Sequence, residues 1–307
     1  MTAIPLLDAS RFLNGGDPDF VQAFGAACRE TGFVLLTGHG IAPDLIDGVF
    51  SQADSFFARP AAEKTALDIR QSPHNRGWAA LGTENLDPTA GVDQKEAFNI
   101  GLDLAADDPR VVAGEPFRGV NVWPEGAPTF REMTLAYFQA VLDLGRHLHR
   151  AFAADLGLAE NHFAGSFRAP MATLRLLSYP PSSGEGIGAG AHTDYGSITL
   201  LMTDGEPGLQ VQPRGGDWID VPHVAGAFVM NIGDCLMRWS NDVYVSTPHR
   251  VAAPKRRRRS IAFFMDPDPD AVIAALPGTG AEKYPAVTGA DYLRSRLDAT
   301  YVPEAAS

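Results

Sequence analysis

Cysteine is scarce in this sequence: its 307 residues include only Cys28 and Cys235, which lie far apart. This scarcity excludes a disulfide-rich scaffold and favours a reducing, cytoplasmic setting. Long apolar runs are missing too, since no segment approaches the 18 or so residues that a membrane-spanning helix needs. The first residues lack the basic and apolar regions of a signal peptide, so we expect neither secretion nor membrane attachment.

Positive charge is also in deficit. Lysine and arginine number 25 against 37 acidic residues, which gives a net charge of -12. A surface of this sign disfavours general binding to nucleic acid or to anionic membranes. Hydrophobic residues make up 45% of the chain, enough for a sizeable core, and 31 glycines with 23 prolines favour many turns and short strands.

The first part of the chain is predominantly helical in its pattern. Apolar residues recur every three or four positions from Pro128 to Leu156, which predicts one long amphipathic helix. Shorter elements precede it, and residues 70 to 125 look irregular apart from a strand near Ala97–Ile100. The predicted early elements are a strand at 4–8, a helix at 17–32, a strand at 33–37 and helices at 43–58 and 61–67.

After Met171 the pattern changes to short strands broken by turns. The predicted strands are 174–179, 197–202, 209–212, 227–231, 249–252 and 260–265, with a final helix at 291–297. Helices followed by a strand-rich part predict a mainly β fold with flanking helices, such as a jelly-roll or another double-sheet barrel. We expect residues 1–125 to pack on a core formed by residues 126–307 as one compact unit.

A metal-binding pattern stands out in the strand-rich part. His192 and Asp194 lie two residues apart, so on an extended segment their side chains point to the same side. His249 begins a distant predicted strand and can supply a third ligand. Two histidines and one carboxylate form the facial triad of non-haem iron(II) oxygenases. His-x-Asp alone is common by chance, and a zinc hydrolase can use the same three ligands.

The basic run from Lys255 to Arg259 resembles a nucleic-acid patch, but it leads directly into an apolar strand. With the two-residue period of a strand, Arg258 and Ser260 share one face, and the pair can grip a carboxylate through charge-assisted hydrogen bonds. Arg256 has the same parity, so a shift by two residues stays open. Arg257 and Arg259 are expected in solvent.

Glycines at positions 184, 186, 188 and 190 resemble a dinucleotide-binding loop. No amphipathic helix follows them, however, and the loop requires one. We interpret them as a mobile loop before the metal site.

Several segments together resemble the isopenicillin N synthase-like branch of iron(II)/2-oxoglutarate-dependent dioxygenases. The resemblance extends over nearly the whole chain. The matching segments are Thr31–Ile41, Lys95–Phe98, Leu174–Pro181, Gly190–Gly196, Gly208–Val211, Asn231–Asp234, Trp239–Asn241, His249–Val251 and Arg258–Phe264.

The resemblance implies a distorted jelly-roll (double-stranded β-helix) core with an N-terminal helical region. It implies that His192, Asp194 and His249 bind Fe(II). Arg258 and Ser260 would then bind the distal carboxylate of 2-oxoglutarate. Tyr179 and Asn231 are further candidates at the cosubstrate, and Tyr179 can equally be a structural residue of a core strand.

We therefore expect an oxygenase that uses Fe(II), 2-oxoglutarate and O2 to oxidise a small molecule, most simply by hydroxylation, with release of succinate and CO2. Alternatives are an oxidase of the same fold that does not use 2-oxoglutarate and a non-catalytic binding module. Candidate substrate contacts are Arg175, which can equally form a structural ion pair, and the wall candidates Phe264, Trp78 and Tyr292, for which a core position is the alternative. A lid is expected between about residues 70 and 95, whereas nothing in the sequence indicates the substrate or the oligomeric state.

Overall fold

The computed structural model describes residues 4–84, 92–182 and 186–300. The helices are α1 (Ser10–Leu13), α2 (Pro18–Glu30), α3 (Pro43–Phe57), α4 (Ala61–Thr65), α5 (Pro109–Val112), α6 (Pro128–Asp155), α7 (Asp234–Trp239) and α8 (Gly289–Thr300). The strands are β1 (Leu6–Asp8), β2 (Phe33–Thr37), β3 (Gly77–Ala79), β4 (Glu96–Gly101), β5 (Thr173–Tyr179), β6 (Ile187–His192), β7 (Ile198–Thr203), β8 (Leu209–Val211), β9 (Ile219–Asp220), β10 (Phe228–Ile232), β11 (His249–Ala252), β12 (Arg258–Met265), β13 (Val272–Ile273) and β14 (Val287–Thr288).

Two facing sheets build the core of the molecule. The larger has the strand order β1-β2-β10-β7-β12-β5-β4-β3, and the smaller has the order β6-β11-β8-β9. Most neighbours in both sheets are antiparallel, while β1 pairs with β2 in parallel. This is the double-sheet jelly-roll that the strand pattern predicts.

The larger sheet has a different role on each face, because successive side chains of a strand point to opposite sides. On β12, Ile261 and Phe263 pack among the helices, and Phe263 meets Phe138 of α6 edge to face at 5.1 Å. Ala262 points the other way, into the space between the two sheets. The helices thus cover one face, and the other face lines the interior of the jelly-roll.

Local sequence explains the positions of the main helices. α2 begins where the Asp17 carboxylate accepts hydrogen bonds from the backbone N–H groups of Asp19 and Phe20, and Pro18 occupies the first turn. α6 keeps the apolar face that its periodicity predicts, with Tyr137 and Val141 fully buried. These elements confirm the predicted helices at 17–32 and 128–156, with ends that differ by one or two residues.

The glycine-rich segment before the metal site was interpreted wrongly as a mobile loop. Residues 183–185 lie outside the described part, but Ile187–His192 form strand β6, paired with β11. A Cβ atom on Gly188 would stand 3.2 Å from both the Ala252 carbonyl oxygen and the Tyr179 ring. Close packing explains this glycine, and the run of glycine and alanine after Ile187 hides the strand from propensity-based prediction.

The predicted division near residue 125 stays a prediction, although the larger sheet takes strands from both sides of it. Part of the predicted lid, residues 85–91, lies outside the described residues. In the portions that the structure describes, none of the helices has the length and apolar character required to cross a membrane.

Candidate metal centre and cosubstrate pocket

Strand pairing brings His192 and His249 together. His249 opens β11 directly opposite His192 at the end of β6, and the two ring centroids lie 4.4 Å apart. His192 Nδ1 contacts the Gly190 carbonyl oxygen at 2.7 Å, and His249 Nδ1 contacts the Thr247 carbonyl oxygen at 3.3 Å. With Nδ1 donating to a carbonyl, each Nε2 keeps its lone pair for a metal ion.

The two carboxylate oxygens of Asp194 have separate partners. Oδ1 lies 3.7 Å from Nε2 of His192 and 3.6 Å from Nε2 of His249. Oδ2 accepts a hydrogen bond of 2.5 Å from the Thr199 hydroxyl and one of 2.8 Å from the Asn231 amide. The carboxylate is therefore held in one orientation, with one oxygen directed at the point that the two imidazoles share.

The environment sets the charge of His192 and Asp194. Burial, and then the neighbouring His249, lowers the pKa of His192 from 6.5 to about 4, so its imidazole is neutral near pH 7. Burial alone would raise the pKa of Asp194, but the two histidines and the donors Asn231 and Thr199 outweigh it and lower that pKa below 3.8. A neutral imidazole and an ionised carboxylate are the protonation states that metal ligands need.

The donor set suits iron(II). The ligand atoms of His192, Asp194 and His249 lie within 4.8 Å of one another, and no other histidine, cysteine or acidic group of the described residues forms such a cluster. Two imidazoles and one carboxylate leave open positions on an octahedral ion, as non-haem Fe(II) oxygenases require. The structure thus brings together the three residues predicted as ligands.

Arg258 is the largest fully buried side chain in the described part of the chain, with 1% of its surface exposed. Its Nη1 lies 3.5 Å from the Ser260 hydroxyl, its guanidinium stands 4.9 Å from the centre of the Tyr179 ring, and its Nε has no hydrogen-bond partner among the described residues. A buried guanidinium is costly without an anion, so this position fits the distal carboxylate of 2-oxoglutarate.

Arg259 differs from its predicted role, and Asn231 has a partner that was not predicted. Arg259 is not simply solvated, because it pairs with Asp54 at 2.6 Å and Asp204 at 3.1 Å, and exposed Arg257 also reaches Asp54. Asn231 donates to Asp194 and so orients a metal ligand, while its place at the cosubstrate stays a prediction. Arg256 is exposed, which leaves Arg258 as the inward residue of the basic run.

The candidate substrate residues separate into two groups. Phe264 faces the interior, and Arg175 does too, where it is hydrogen-bonded to Glu84. Trp78 points to the opposite, helix-covered face of the sheet, where it donates to Glu96 at 2.9 Å. The structure therefore contradicts its placement in the cavity wall. Tyr292 likewise packs in the helical cluster.

The sequence reasoning missed a group of buried charges beside the metal site. Lys95 is paired with Asp93 and lies 3.3 Å from Glu84, while Asp93 accepts a hydrogen bond of 3.0 Å from the Gly190 backbone N–H. Burial opposes the ionisation of Glu84, but Arg175 and Lys95 lower its pKa to about 2. Nothing in the sequence indicated that these charged residues of an irregular segment are buried. Their burial becomes visible only from their pairing in the folded structure.

Comparison with known proteins agrees with this geometry. A family model described as "non-haem dioxygenase in morphine synthesis N-terminal" matches residues 4–126, and one described as "2OG-Fe(II) oxygenase superfamily" matches residues 170–267. The 2-oxoglutarate-Fe(II) type oxidoreductase hxnY of Emericella nidulans is 37% identical over 98% of this chain and 91% of its own length. The chain belongs to the 2OG-Fe(II) oxygenase superfamily.

Solved structures of the superfamily share the fold. A 2OG-Fe(II) oxygenase family protein from Caulobacter crescentus is 30% identical with a TM-score of 0.88, over 97% of this chain and 99% of its own. A full-length Neurospora crassa protein in complex with alpha-KG is 34% identical with a TM-score of 0.85, over 97% and 96%. The same Neurospora protein is also known with alpha-KG and thymine bound. The present chain is thus a 2-oxoglutarate-dependent dioxygenase that uses Fe(II) as its cofactor and 2-oxoglutarate and O2 as cosubstrates.

Proposed function

We propose that this protein hydroxylates a small organic molecule at a centre where His192, Asp194 and His249 hold Fe(II). Iron with 2-oxoglutarate supplies an oxidant that converts a C–H bond to C–OH, while O2 provides one oxygen atom to the product and one to succinate, and CO2 leaves. Arg258 and Ser260 bind the distal carboxylate of 2-oxoglutarate, with the Tyr179 ring against the guanidinium.

The observation that carries this proposal is the pairing of two incomplete sites in one interior. Three ligand atoms converge on one point, and the buried Arg258 guanidinium lacks a carboxylate partner among the described residues. A zinc hydrolase would need the first site but would have no use for the second. A non-catalytic binding module would need neither two imidazole Nε2 atoms at one point nor the oriented carboxylate.

The interior accommodates a small molecule better than a polymer. The site lies between two sheets, and His192, the most exposed of the three ligands, has 20% of its side chain exposed. The net charge of -12 disfavours nucleic acid. The Neurospora crassa protein was solved with thymine, a small molecule, and we propose a small molecule as the substrate class here.

Uncoupled turnover tests the proposal without a known substrate. The purified protein with Fe(II) and ascorbate is given 2-oxoglutarate in air, and succinate is measured against a sample that lacks protein. We expect slow succinate formation that His249→Ala abolishes and that the exposed His162→Ala leaves unchanged. O2 consumption that proceeds equally without 2-oxoglutarate would instead support an oxidase, and no succinate at all would contradict the proposal.

A further inference from the structure

Arg76 is a second buried guanidinium without a carboxylate partner among the described residues. It is 6% exposed, its Nε has no hydrogen-bond partner, and its Nη1 only approaches the Asn75 carbonyl oxygen at 3.5 Å. The other buried arginine of the described residues, besides Arg258, is Arg118, which donates to the carbonyl groups of Ala169 and Pro170. Arg76 therefore lacks the compensation that a buried cation needs.

The close approach to Gly101 places the guanidinium of Arg76 on the interior face of the larger sheet. A Cβ atom added to Gly101 would stand 1.9 Å from Nη2 of Arg76, so the guanidinium lies directly over this glycine on β4. Gly101 has the parity of Ala97, whose side chain belongs to the interior cluster. A side chain at position 101 would fill the space that the guanidinium occupies.

One row of paired residues connects the two sites. It runs across five neighbouring strands through Asn231, Thr199, Phe264, Thr173 and Gly101. Thr199 and Asn231 hold Asp194 at one end, and Arg76 covers Gly101 at the other. Three strand spacings separate Thr199 from Gly101, roughly 14 Å along the sheet. The Phe264 side chain lies between the two ends.

The other interior charges are already balanced. Lys95 and Arg175 are paired with Asp93 and Glu84, two cations against two anions. 2-Oxoglutarate provides the anion for Arg258. Burial, and then the proximity of Arg118, lowers the pKa of Arg76 to about 10, so it keeps its charge near pH 7. Among the described residues, Arg76 is the cation on this face that is left for a ligand other than the metal ion and the cosubstrate.

We propose that Arg76 binds a carboxylate of the primary substrate, which would make this protein an oxygenase of small organic acids. This inference rests on the proposed function, since it places the substrate between Arg76 and the iron. The acid group meets the guanidinium, the apolar or aromatic body packs on Phe264, and the far end reaches the metal centre. Asn99, two residues before Gly101 on the same face, has a buried Oδ1 that no described residue hydrogen-bonds, so it can accept from a substrate N–H or O–H.

Matched acids and amides test the inference directly. The protein is loaded anaerobically with Fe(II) and saturating 2-oxoglutarate, so that Arg258 is already occupied. Hexanoate, benzoate, phenylacetate and their primary amides are then titrated at millimolar concentration, and the visible spectrum of the iron complex and its O2-induced decay are recorded. We expect at least one acid to perturb the spectrum and accelerate the decay, and its amide to do so at least about tenfold more weakly.

Variants identify the residue that distinguishes acid from amide. Arg76→Gln is expected to remove the preference for the acid, Arg76→Lys to retain part of it, and the exposed Arg256→Gln to retain it fully. Gly101→Ala provides an independent variant, because its methyl group displaces the Arg76 guanidinium without changing any charge. We expect Gly101→Ala to lose the preference for the acid as well. This test remains available if Arg76→Gln folds poorly.

The outcomes separate this inference from the proposed function. A normal spectrum with 2-oxoglutarate that no acid perturbs, or that acids and amides perturb equally, overturns the inference and leaves the oxygenase assignment intact. A preference that survives Arg76→Gln and disappears in Arg175→Gln also overturns it. Failure of 2-oxoglutarate to bind the iron-loaded protein contradicts the proposed function itself.

Discussion

Asn231 donates a hydrogen bond of 2.8 Å to the Asp194 carboxylate oxygen that does not face the two histidines. Thr199 donates to the same oxygen at 2.5 Å. Both donors come from adjacent strands of the larger sheet, β10 and β7, and they face each other in the register. The rigid sheet therefore fixes the orientation of a ligand that itself lies just beyond the end of β6.

Loss of the Asn231 amide should weaken metal binding. We expect Asn231→Ala to reduce the Fe(II) affinity about 10- to 100-fold, because partners that orient a ligand contribute on this scale. Competition with a coloured chelator measures the affinity, and the exposed Asn161→Ala serves as the control. Unchanged affinity in Asn231→Ala and in Thr199→Val would show that the sheet does not orient the ligand.

Acid should destabilise the metal-free protein through its buried histidines. Burial lowers the pKa of His149 to about 4, whereas the unfolded chain protonates near 6.5. The contribution of buried, neutral His149 to the free energy of unfolding is fully present above pH 6.5. It is lost as the pH falls towards 4, by up to roughly 3 kcal/mol, because the unfolded state binds the proton first.

Urea unfolding at about pH 7 and about pH 5 measures this effect. His149→Gln is expected to lose less unfolding free energy than the wild type between the two values, and the exposed His162→Gln is expected to follow the wild type. His192 adds to the pH dependence of all three proteins, since burial lowers its pKa as well. Equal losses in His149→Gln and the wild type would mean that His149 is not held neutral in the fold.

The contact between the larger sheet and α6 should contribute much of the free energy of unfolding. Phe263 is fully buried and packs edge to face on Phe138. We expect Phe263→Ala to lower the unfolding free energy by about 3 to 5 kcal/mol, because it removes a large buried ring and leaves a cavity. Val272→Ala, at a position that is 59% exposed, should change it by less than about 0.5 kcal/mol. Similar effects of the two substitutions in chemical denaturation would refute this account of the core.

The sequence predicted those features that depend on local pattern. Strand β2 was bounded correctly at Phe33 and Thr37 because apolar β-formers fill it between turns. His192 and Asp194 were recognisable from their spacing, and Arg258 with Ser260 from strand parity. These residues could be predicted because their spacing to nearby residues in the sequence indicates what each can bind.

Features that arise from tertiary packing were not predictable. Strand β6 consists largely of glycine and alanine, and only its pairing with β11 makes it a strand. The short helix α7 and the parity of Trp78 were missed because the residues around them carry no clear period. Arg76 looks like an ordinary residue of an irregular segment, and its burial over Gly101 becomes visible only in three dimensions.

The most direct test of the account is the visible spectrum of the metal-free protein after anaerobic addition of Fe(II) and then 2-oxoglutarate. We predict a weak metal-to-ligand charge-transfer band that saturates at one 2-oxoglutarate per chain. In Arg258→Gln, half-saturation should need at least about tenfold more 2-oxoglutarate, because the charge-assisted bonds to its distal carboxylate are lost, while exposed Arg256→Gln should match the wild type. Iron that binds without producing the band, or a band that Arg258→Gln leaves unchanged, would contradict the account.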